Sequence, residues 1–365
     1  MEWLFLFTAL ILILYVALLS FFFIGWRRIP VFVVNENEVI ITKISVIVAC
    51  RNEEDHIQQL LSCLAQQSYQ DFELIVVNDH SVDATRELIL SAQTTFPTIK
   101  LLDAVGFGKK NALKEGIYCS TGDLIVTTDA DCMPSHLWLE TIVSFYGKYP
   151  ADLIICPVKL SVKDSLFSKL QLLEFSSLIA SGAGAAGAGM PIMCNGANLA
   201  FTKSCWLVSQ NDLHEEELSG DDMFLLESSK KRRGIIRFLK SESAFVMTEP
   251  SGTLGEFIKQ RRRWTSKSPA YTDWQIILTA FAVLSINIVS LILLLISFFS
   301  STVLIVFLSA FLLKYILDTF FLYSVRSFFQ INNIWIYSFI LSVLYPFYVV
   351  YVAFSTFLFK PGTWK

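Results

Sequence analysis

The sequence predicts an α/β domain built on a mostly parallel sheet and flanked at both ends by membrane-spanning helices. Three observations lead there. Apolar residues make up 54% of the 365-residue chain, with 31 phenylalanines, more than an ordinary soluble protein holds, and the excess is concentrated at the two ends. The middle, from about Ile41 to Trp264, alternates short β-branched runs with helical patterns. Within it, Asp123-Leu-Ile-Val-Thr-Thr-Asp129-Ala-Asp131 reads as a buried strand that delivers two carboxylates.

Taken in order, Trp3 to Ile24 is almost uncharged, long enough to cross a bilayer, and stops at the aromatic and basic anchor Trp26-Arg27-Arg28. No small-residue cleavage site follows, so residues 1–26 read as a retained anchor. Residues 41–256 then form the α/β domain. Ile44 to Ala49 is its first strand, and Glu53 to Gln67 a helix with Ile57, Leu60, Leu61 and Leu64 on its apolar face. Phe72 to Val77 is the second strand, Asp83 to Ala92 a helix, Ile99 to Asp103 a short strand, Lys110 to Cys119 a helix, and Asp123 to Thr128 the next strand. The Gly/Ala-rich stretch Ser181 to Gly189 fits either a flexible loop or a closely packed helix.

Residues 257–273 read as an interfacial segment, and 274–360 as about three further spans, near Ile276 to Phe299, Thr302 to Tyr323 and Ile334 to Leu358. The chain is thus expected to be a multi-pass membrane protein with four spans. Lys314 and Asp318, four apart within one span, can pair with each other. Arg27 and Arg28 after the first span, with Lys259, Arg261, Arg262, Arg263 and Lys267 before the second, place the central region in the cytoplasm. Lys360 and Lys365 then fall on the outer side. A last segment that is re-entrant or interfacial, broken at Pro346, removes that conflict.

Seven cysteines without a C-x-x-C pair, and no histidine at zinc-site spacing from them, fit reduced thiols better than disulfides or zinc. A net charge of −3 argues against bulk nucleic-acid binding. The basic cluster from Lys259 to Arg263 suits anionic lipid or phosphate.

Asn52, Asp79 and Asp129 each lie just past the carboxyl end of a strand, where ligands bind in open α/β sheets. Two residues apart on an extended strand, Asp129 and Asp131 face the same side. Together they suit Mg²⁺ or Mn²⁺, which accepts one or two carboxylates and keeps positions for substrate phosphates; a solvated turn or a helix cap is the alternative. Asp79 can accept hydrogen bonds from a nucleobase or ribose, or cap the following helix, a role that suits Asp83 better. Gly106-Phe107-Gly108-Lys109-Lys110 offers backbone donors and ammonium groups to phosphate, or forms a surface turn. In Gly220-Asp221-Asp222 one carboxylate can cap a helix while the other faces the crevice as a general base. The arginines of Gln260-Arg261-Arg262-Arg263-Trp264 can snorkel to lipid headgroups or bind diphosphate bidentately.

Ile47-Val-Ala-Cys-Arg-Asn-Glu-Glu54, Val77-Asn-Asp79, Gly108-Lys-Lys-Asn-Ala-Leu113, Asp129-Ala-Asp131, Asn195-Gly-Ala-Asn198, Gly220-Asp-Asp222 and Gln260-Arg-Arg-Arg-Trp264 occur in one order. That order resembles membrane-embedded family 2 glycosyltransferases, the branch containing cellulose, chitin and hyaluronan synthases and ceramide glucosyltransferase. The resemblance covers about Ile44 to Trp264. It implies a GT-A catalytic domain, a nucleotide-diphosphate sugar donor, a divalent metal, Mg²⁺ or Mn²⁺, and inversion at the anomeric carbon. By position it assigns Asp79 to a uridine-like nucleotide, Asp129 to the nucleotide and ribose side, Asp131 to the metal and Asp222 to the base. Asn52, Glu53, Lys109, Lys110 and Asn198 go with donor binding, and Gln260, Arg263 and Trp264 with acceptor and diphosphate. The chain departs from the family where Ala49 stands in place of Pro and Asn78-Asp79-His80-Ser81 in place of D-D-G-S. Asp221 occupies the Glu position of T-E-D, which leaves the base as Asp222 or Asp221.

The expected function is inverting sugar transfer to a hydroxyl of a membrane-associated lipid or glycan, with membrane lipids as surroundings and no nucleic acid. The alternative is a processive β-polysaccharide synthase that elongates and exports a glycan. A non-catalytic membrane scaffold ranks below both, since it is expected to have lost one carboxylate or the Arg-Trp pair.

Overall fold

The computed structural model describes residues 2–34, 42–96, 98–214 and 220–358; Ile41, Lys360 and Lys365, used above, lie outside them. Helices and strands follow in the order α1 (Glu2–Arg28), β1 (Ile44–Cys50), α2 (Ile57–Ala65), β2 (Phe72–Asn78), α3 (Thr85–Gln93), β3 (Ile99–Asp103), α4 (Lys109–Cys119), β4 (Leu124–Asp129), β5 (Met133–Pro134) and α5 (Trp138–Lys148). Then come β6 (Leu153–Ile155), β7 (Val158–Leu160), α6 (Leu166–Gly187), β8 (Leu199–Thr202), α7 (Lys203–Ser209), α8 (Asp221–Lys231), β9 (Ile236–Phe238) and β10 (Val246–Thr248). The chain ends in α9 (Leu254–Thr265), α10 (Trp274–Ser297), α11 (Ser301–Phe329) and α12 (Ile334–Leu358). They divide into two compact units.

The sheet unit comprises Ile29–Ser161 and Met193–Glu249. Its main sheet has seven strands in the order β3-β2-β1-β4-β8-β6-β9. β1 pairs in parallel with β2 and β4, and β2 with β3, whereas β8 runs antiparallel to both β4 and β6. A small sheet, β5-β10-β7, accompanies it. Every residue of β1 is buried, as expected of a β-branched run in the middle of a parallel sheet. From β1 the chain winds outward through β2 and β3 and then crosses to β4 on the other side, so the strand order reverses between β1 and β4. A ligand crevice in an open α/β sheet lies beyond the carboxyl ends at this point, and the register Ala49 opposite Asp129 puts the two loops that carry Asn52 and Asp131 side by side.

The helical unit comprises the chain up to Arg28, Val162–Ile192 and the chain from Pro250 on. α1, α10, α11 and α12 are each long and apolar enough to cross a membrane. α12 runs as one helix through Pro346, so the expected break there does not occur. The Gly/Ala-rich stretch continues the α6 helix to Gly187 and is closely packed. A Cβ at Gly184 would run into the Phe22 carbonyl of α1, and one at Gly25 into the Gly184 carbonyl, so the two backbones touch as small residues allow. At mid-span, Lys314 pairs with Asp318 and Tyr15 donates to the second Asp318 oxygen at 2.7 Å, which compensates both charges within the bundle.

Arg261 differs from the expectation that the arginines of α9 reach for lipid or phosphate. It is buried, donates from Nε and Nη2 to both oxygens of Glu174 on α6, and donates from Nη1 to Gln260 Oε1 at 2.7 Å. Its guanidinium lies 4.6 Å from the Phe257 ring centre and 4.2 Å from that of Trp264. Tyr348 donates to the same Glu174 at 3.1 Å. Burial acts to lower the Arg261 pKa and Glu174 more than offsets it, so the guanidinium is held charged.

Candidate active site

At the carboxyl end of β1, Asn52 takes a left-handed φ of 54°, accepts from the Val82 N–H at 2.9 Å and donates its own N–H to Ser81 Oγ at 3.1 Å. Glu53 donates its N–H to Thr85 Oγ1 at 2.7 Å and holds His56 Nδ1 with its carboxylate. Asp83 accepts from the N–H and hydroxyl of Thr85, satisfying the first turn of α3. Asn52 and Glu53 therefore tie the loop after β1 to the loop after β2.

Asp79, just past β2, is fully buried. Its Oδ2 accepts the Gly108 N–H at 3.0 Å and faces Arg51 Nη1 at 3.9 Å, whereas Oδ1 has no hydrogen-bond partner among the described residues. Gly108 meets it with φ 94°, a conformation open to glycine at little cost. The field here is negative. The Cys50 thiol is pushed up to about 12, by burial first and then by Glu53, Asp83, Asp79 and Asp103.

Asp129 is the last residue of β4, and the chain turns immediately, with the Cys132 N–H on the Asp129 carbonyl at 3.1 Å. Asp131 thus lies on a turn, not on the strand, and the alternation argued for an extended pair does not apply to it. The two carboxylates reach the same strand end because the turn folds back, and both are partly exposed. Lys109 Nζ pairs with Asp129 Oδ1 at 2.5 Å. Burial acts to lower the Lys109 pKa, but Asp129, Asp221 and Asp222 raise it above the ordinary lysine value. This lysine is a fixed cation among carboxylates.

Asp221 and Asp222 open α8. Asp222 accepts the Gly196 N–H at 3.0 Å on Oδ2 and the Met223 N–H at 2.8 Å on Oδ1, so within the first turn of α8, whose N-cap is Gly220, it satisfies one free helix donor and is fixed by the Asn195-Gly-Ala-Asn198 loop. Thr127 on β4 holds that loop through the Gly196 carbonyl at 2.8 Å. Gly108, Lys110, Thr127, Gly196, Asp221 and Asp222 line a common cavity, backed by Leu113, Leu199, Phe201 and Trp206.

Two donor-site expectations meet side chains that are already committed. Asn198 is fully buried, accepts from Trp138 Nε1 at 2.9 Å and donates to the Pro157 and Ala244 carbonyls, bracing the loop under Asp222. The Lys110 ammonium donates to the Leu213 and His214 carbonyls at 2.9 and 2.7 Å and closes the segment before α8. Gln260, Arg263 and Trp264 sit on α9 in the helical unit, with Trp264 against Phe175.

Sequence reasoning passed over three residues. Arg51 faces Asp79, and His80, with φ 55°, stacks on Phe107 at 4.1 Å and 23°. The signal for His80 was its place where the resembling family has glycine.

The model for glycosyl transferase family 2 matches residues 45–204. This stretch contains β1, β2 and β4 with Asp79, Asp129 and Asp131. These residues form a family 2 glycosyl transferase domain. The domain is 30% identical over 138 residues to the poly-β-1,6-N-acetyl-D-glucosamine synthase of Staphylococcus epidermidis, covering 37% of this chain and 33% of that protein. It is 32% identical over 114 residues to the glycosyltransferase AglE of Haloferax volcanii, covering 30% of this chain and 38% of that one. The chain thus spans about a third of the length of these relatives. Among solved structures, the mannosyltransferase PcManGT of Pyrobaculum calidifontis, in complex with GDP-Man and Mn²⁺, superposes with a TM-score of 0.60 at 16% identity, covering 93% of this chain and 99% of that one. The fold is GT-A with apolar helices at both ends.

Proposed function

We propose that this chain is an inverting, membrane-bound glycosyltransferase that moves a sugar from a nucleoside-diphosphate sugar to a hydroxyl of a membrane-associated lipid or glycan. One observation carries the reading: Asp79, Asp129, Asp131 and Asp222 reach the same end of the sheet, with Lys109 as a fixed cation among them. Asp222 is the base, because two backbone N–H groups fix its carboxylate while the helix N-terminus supports its charge. It takes the proton of the acceptor hydroxyl as that oxygen attacks the anomeric carbon from the face opposite the diphosphate. Lys109 answers charge gathering on the departing diphosphate. Asp79 holds the nucleoside through Oδ1, which is buried and has no hydrogen-bond partner among the described residues.

Asp129 and Asp131 are the residues that would hold Mg²⁺ or Mn²⁺. Among the described residues no three His, Cys, Asp or Glu side chains form a full metal cage, and two carboxylates fit a hard cation whose other ligands are substrate phosphates. When bound, such a cation supplies charge neutralisation at the diphosphate. Gln260, Arg263 and Trp264 are assigned to acceptor and diphosphate on the resemblance of their motif. The basic residues beside α1 and before α10 favour a cytoplasmic sheet unit.

A processive β-polysaccharide synthase is the second reading, favoured by the similarity to a poly-N-acetylglucosamine synthase. The test uses purified full chain in native lipid with UDP- and GDP-sugars and Mg²⁺ or Mn²⁺, resolving products by mass. A lipid shifted by one sugar supports single transfer, and a ladder supports the processive reading. No nucleotide release from any donor in the presence of lipid extract overturns both.

A further inference from the structure

His80 and Phe107 make a two-ring stack on the rim beside Asp79, and neither ring is covered. Phe107 is 70% exposed and His80 is exposed, yet their ring centres are 4.1 Å apart at 23°. A free phenylalanine on a loop gains little from standing in water. His80 is also held at φ 55°, where residues with a Cβ are disfavoured and glycine is at ease. Both features cost stability, and folding of the sheet needs neither, since the loop is already clipped by Gly108 N–H on Asp79 and by Asn111 Nδ2 on the Phe107 carbonyl.

A second, independent observation points to a ligand. Asp79 precedes His80, is fully buried, and keeps Oδ1 without a partner among the described residues, while Oδ2 is taken by the loop that carries Phe107. An unpaired buried carboxylate oxygen next to an open aromatic face matches a planar heterocycle with a ring N–H. Such a base stacks through its face and donates through its edge. Uracil and guanine both have that N–H.

We infer that the His80–Phe107 stack is a nucleobase platform, and that these two residues set affinity for the base of the donor. The inference rests on the nucleotide-sugar reading above and adds two residues outside the pattern that supports it. The base lies as a third ring on the pair, with its N–H on Asp79 Oδ1. One ring of the pair touches the base and the other backs it, and neither meets the reacting atoms, so both act on donor binding and leave the chemical step alone.

The test is calorimetric titration of the full chain in lipid discs with UDP, with GDP and with inorganic pyrophosphate, each with Mn²⁺. Phe107→Ala and His80→Gly are expected to weaken UDP or GDP, whichever the wild type binds, by about tenfold, the usual loss for one base–aromatic contact. Pyrophosphate affinity should stay within twofold, and Phe107→Tyr, which keeps the ring, should match the wild type. His80→Gly should unfold at the same or a higher temperature, since glycine suits its backbone, which separates lost stacking from lost folding. Binding of nucleotide by both variants within twofold of wild type overturns the inference. Wild-type protein that binds pyrophosphate but neither nucleotide also overturns it and spares the diphosphate site. Wild-type protein that binds none of the three overturns the nucleotide-sugar reading itself.

Discussion

Glu73 and Asp79 stand at opposite ends of β2, and the two carboxylates are treated in opposite ways. Glu73, near the start of the strand, accepts from Ser45 Oγ, from the N–H and hydroxyl of Thr121, from the Gly122 N–H at 3.3 Å and from Lys100 Nζ. Asp79, just past the other end, accepts the Gly108 N–H on one oxygen and leaves the other without a partner among the described residues, although it is the more deeply buried of the two. A satisfied buried carboxylate joins three strand ends and a turn. An unsatisfied one costs stability and persists where a ligand completes it.

The sharpest break in this comparison is at the same end of the sheet. Asp222→Asn is expected to lower transfer by about a thousandfold, within the range for removing a general base, with donor affinity within about threefold, measured by single-turnover transfer beside equilibrium binding. Normal turnover would move the base to Asp221. Asp79→Asn comes next. Its amide can still accept from Gly108 but turns an N–H toward the base, so nucleotide affinity should fall about 10- to 100-fold, as for a charged hydrogen bond, with no loss of thermal stability.

Glu73→Ala should do the reverse. It takes the acceptor from the Ser45 hydroxyl and from the N–H and hydroxyl of Thr121 and should cost about 1–3 kcal/mol of stability, read by denaturant unfolding, while nucleotide affinity of the folded protein holds. Acid should act on the same group. Burial works to raise the Glu73 pKa, but Lys100, Ser45 and Thr121 hold it down to about 2. The stabilisation is therefore complete above the ordinary glutamate value and is lost as pH falls from there through about 2, a loss that Glu73→Ala should lack. Smallest of all, Lys100→Ala removes only an exposed partner and should cost less than about 1 kcal/mol.

Much of this was legible in the sequence because it rests on local pattern. The strand runs β1, β2, β3 and β4 and the apolar helices at both ends follow from periodicity and length, and their bounds moved by a few residues. Asp79 and Asp129 were placed by the rule that loops after parallel strands carry the site. What was hidden depends on contacts far apart in the chain. Arg261 finds Glu174 across 87 residues, and Asn198 finds Trp138 across 60. Lys110 reads from its motif as a phosphate ligand, and its contacts to the Leu213 and His214 carbonyls come from about a hundred residues away. Composition alone did not separate loop from helix at Ser181 to Gly189, because the answer lies in the approach of α1. Nor did Pro346 break its helix, since a span packed by neighbours tolerates one missing N–H.

Thermal unfolding of wild type and Asp79→Asn, each with and without saturating UDP or GDP and Mn²⁺, tests the central claim most directly. The account predicts equal or higher stability of the variant without nucleotide, and a nucleotide-induced rise in Tm that is clearly smaller in the variant than in the wild type at the same nucleotide concentration. A variant that loses stability as Glu73→Ala does, yet keeps the rise, would contradict it and make Asp79 a structural carboxylate like its counterpart at the other end of the strand.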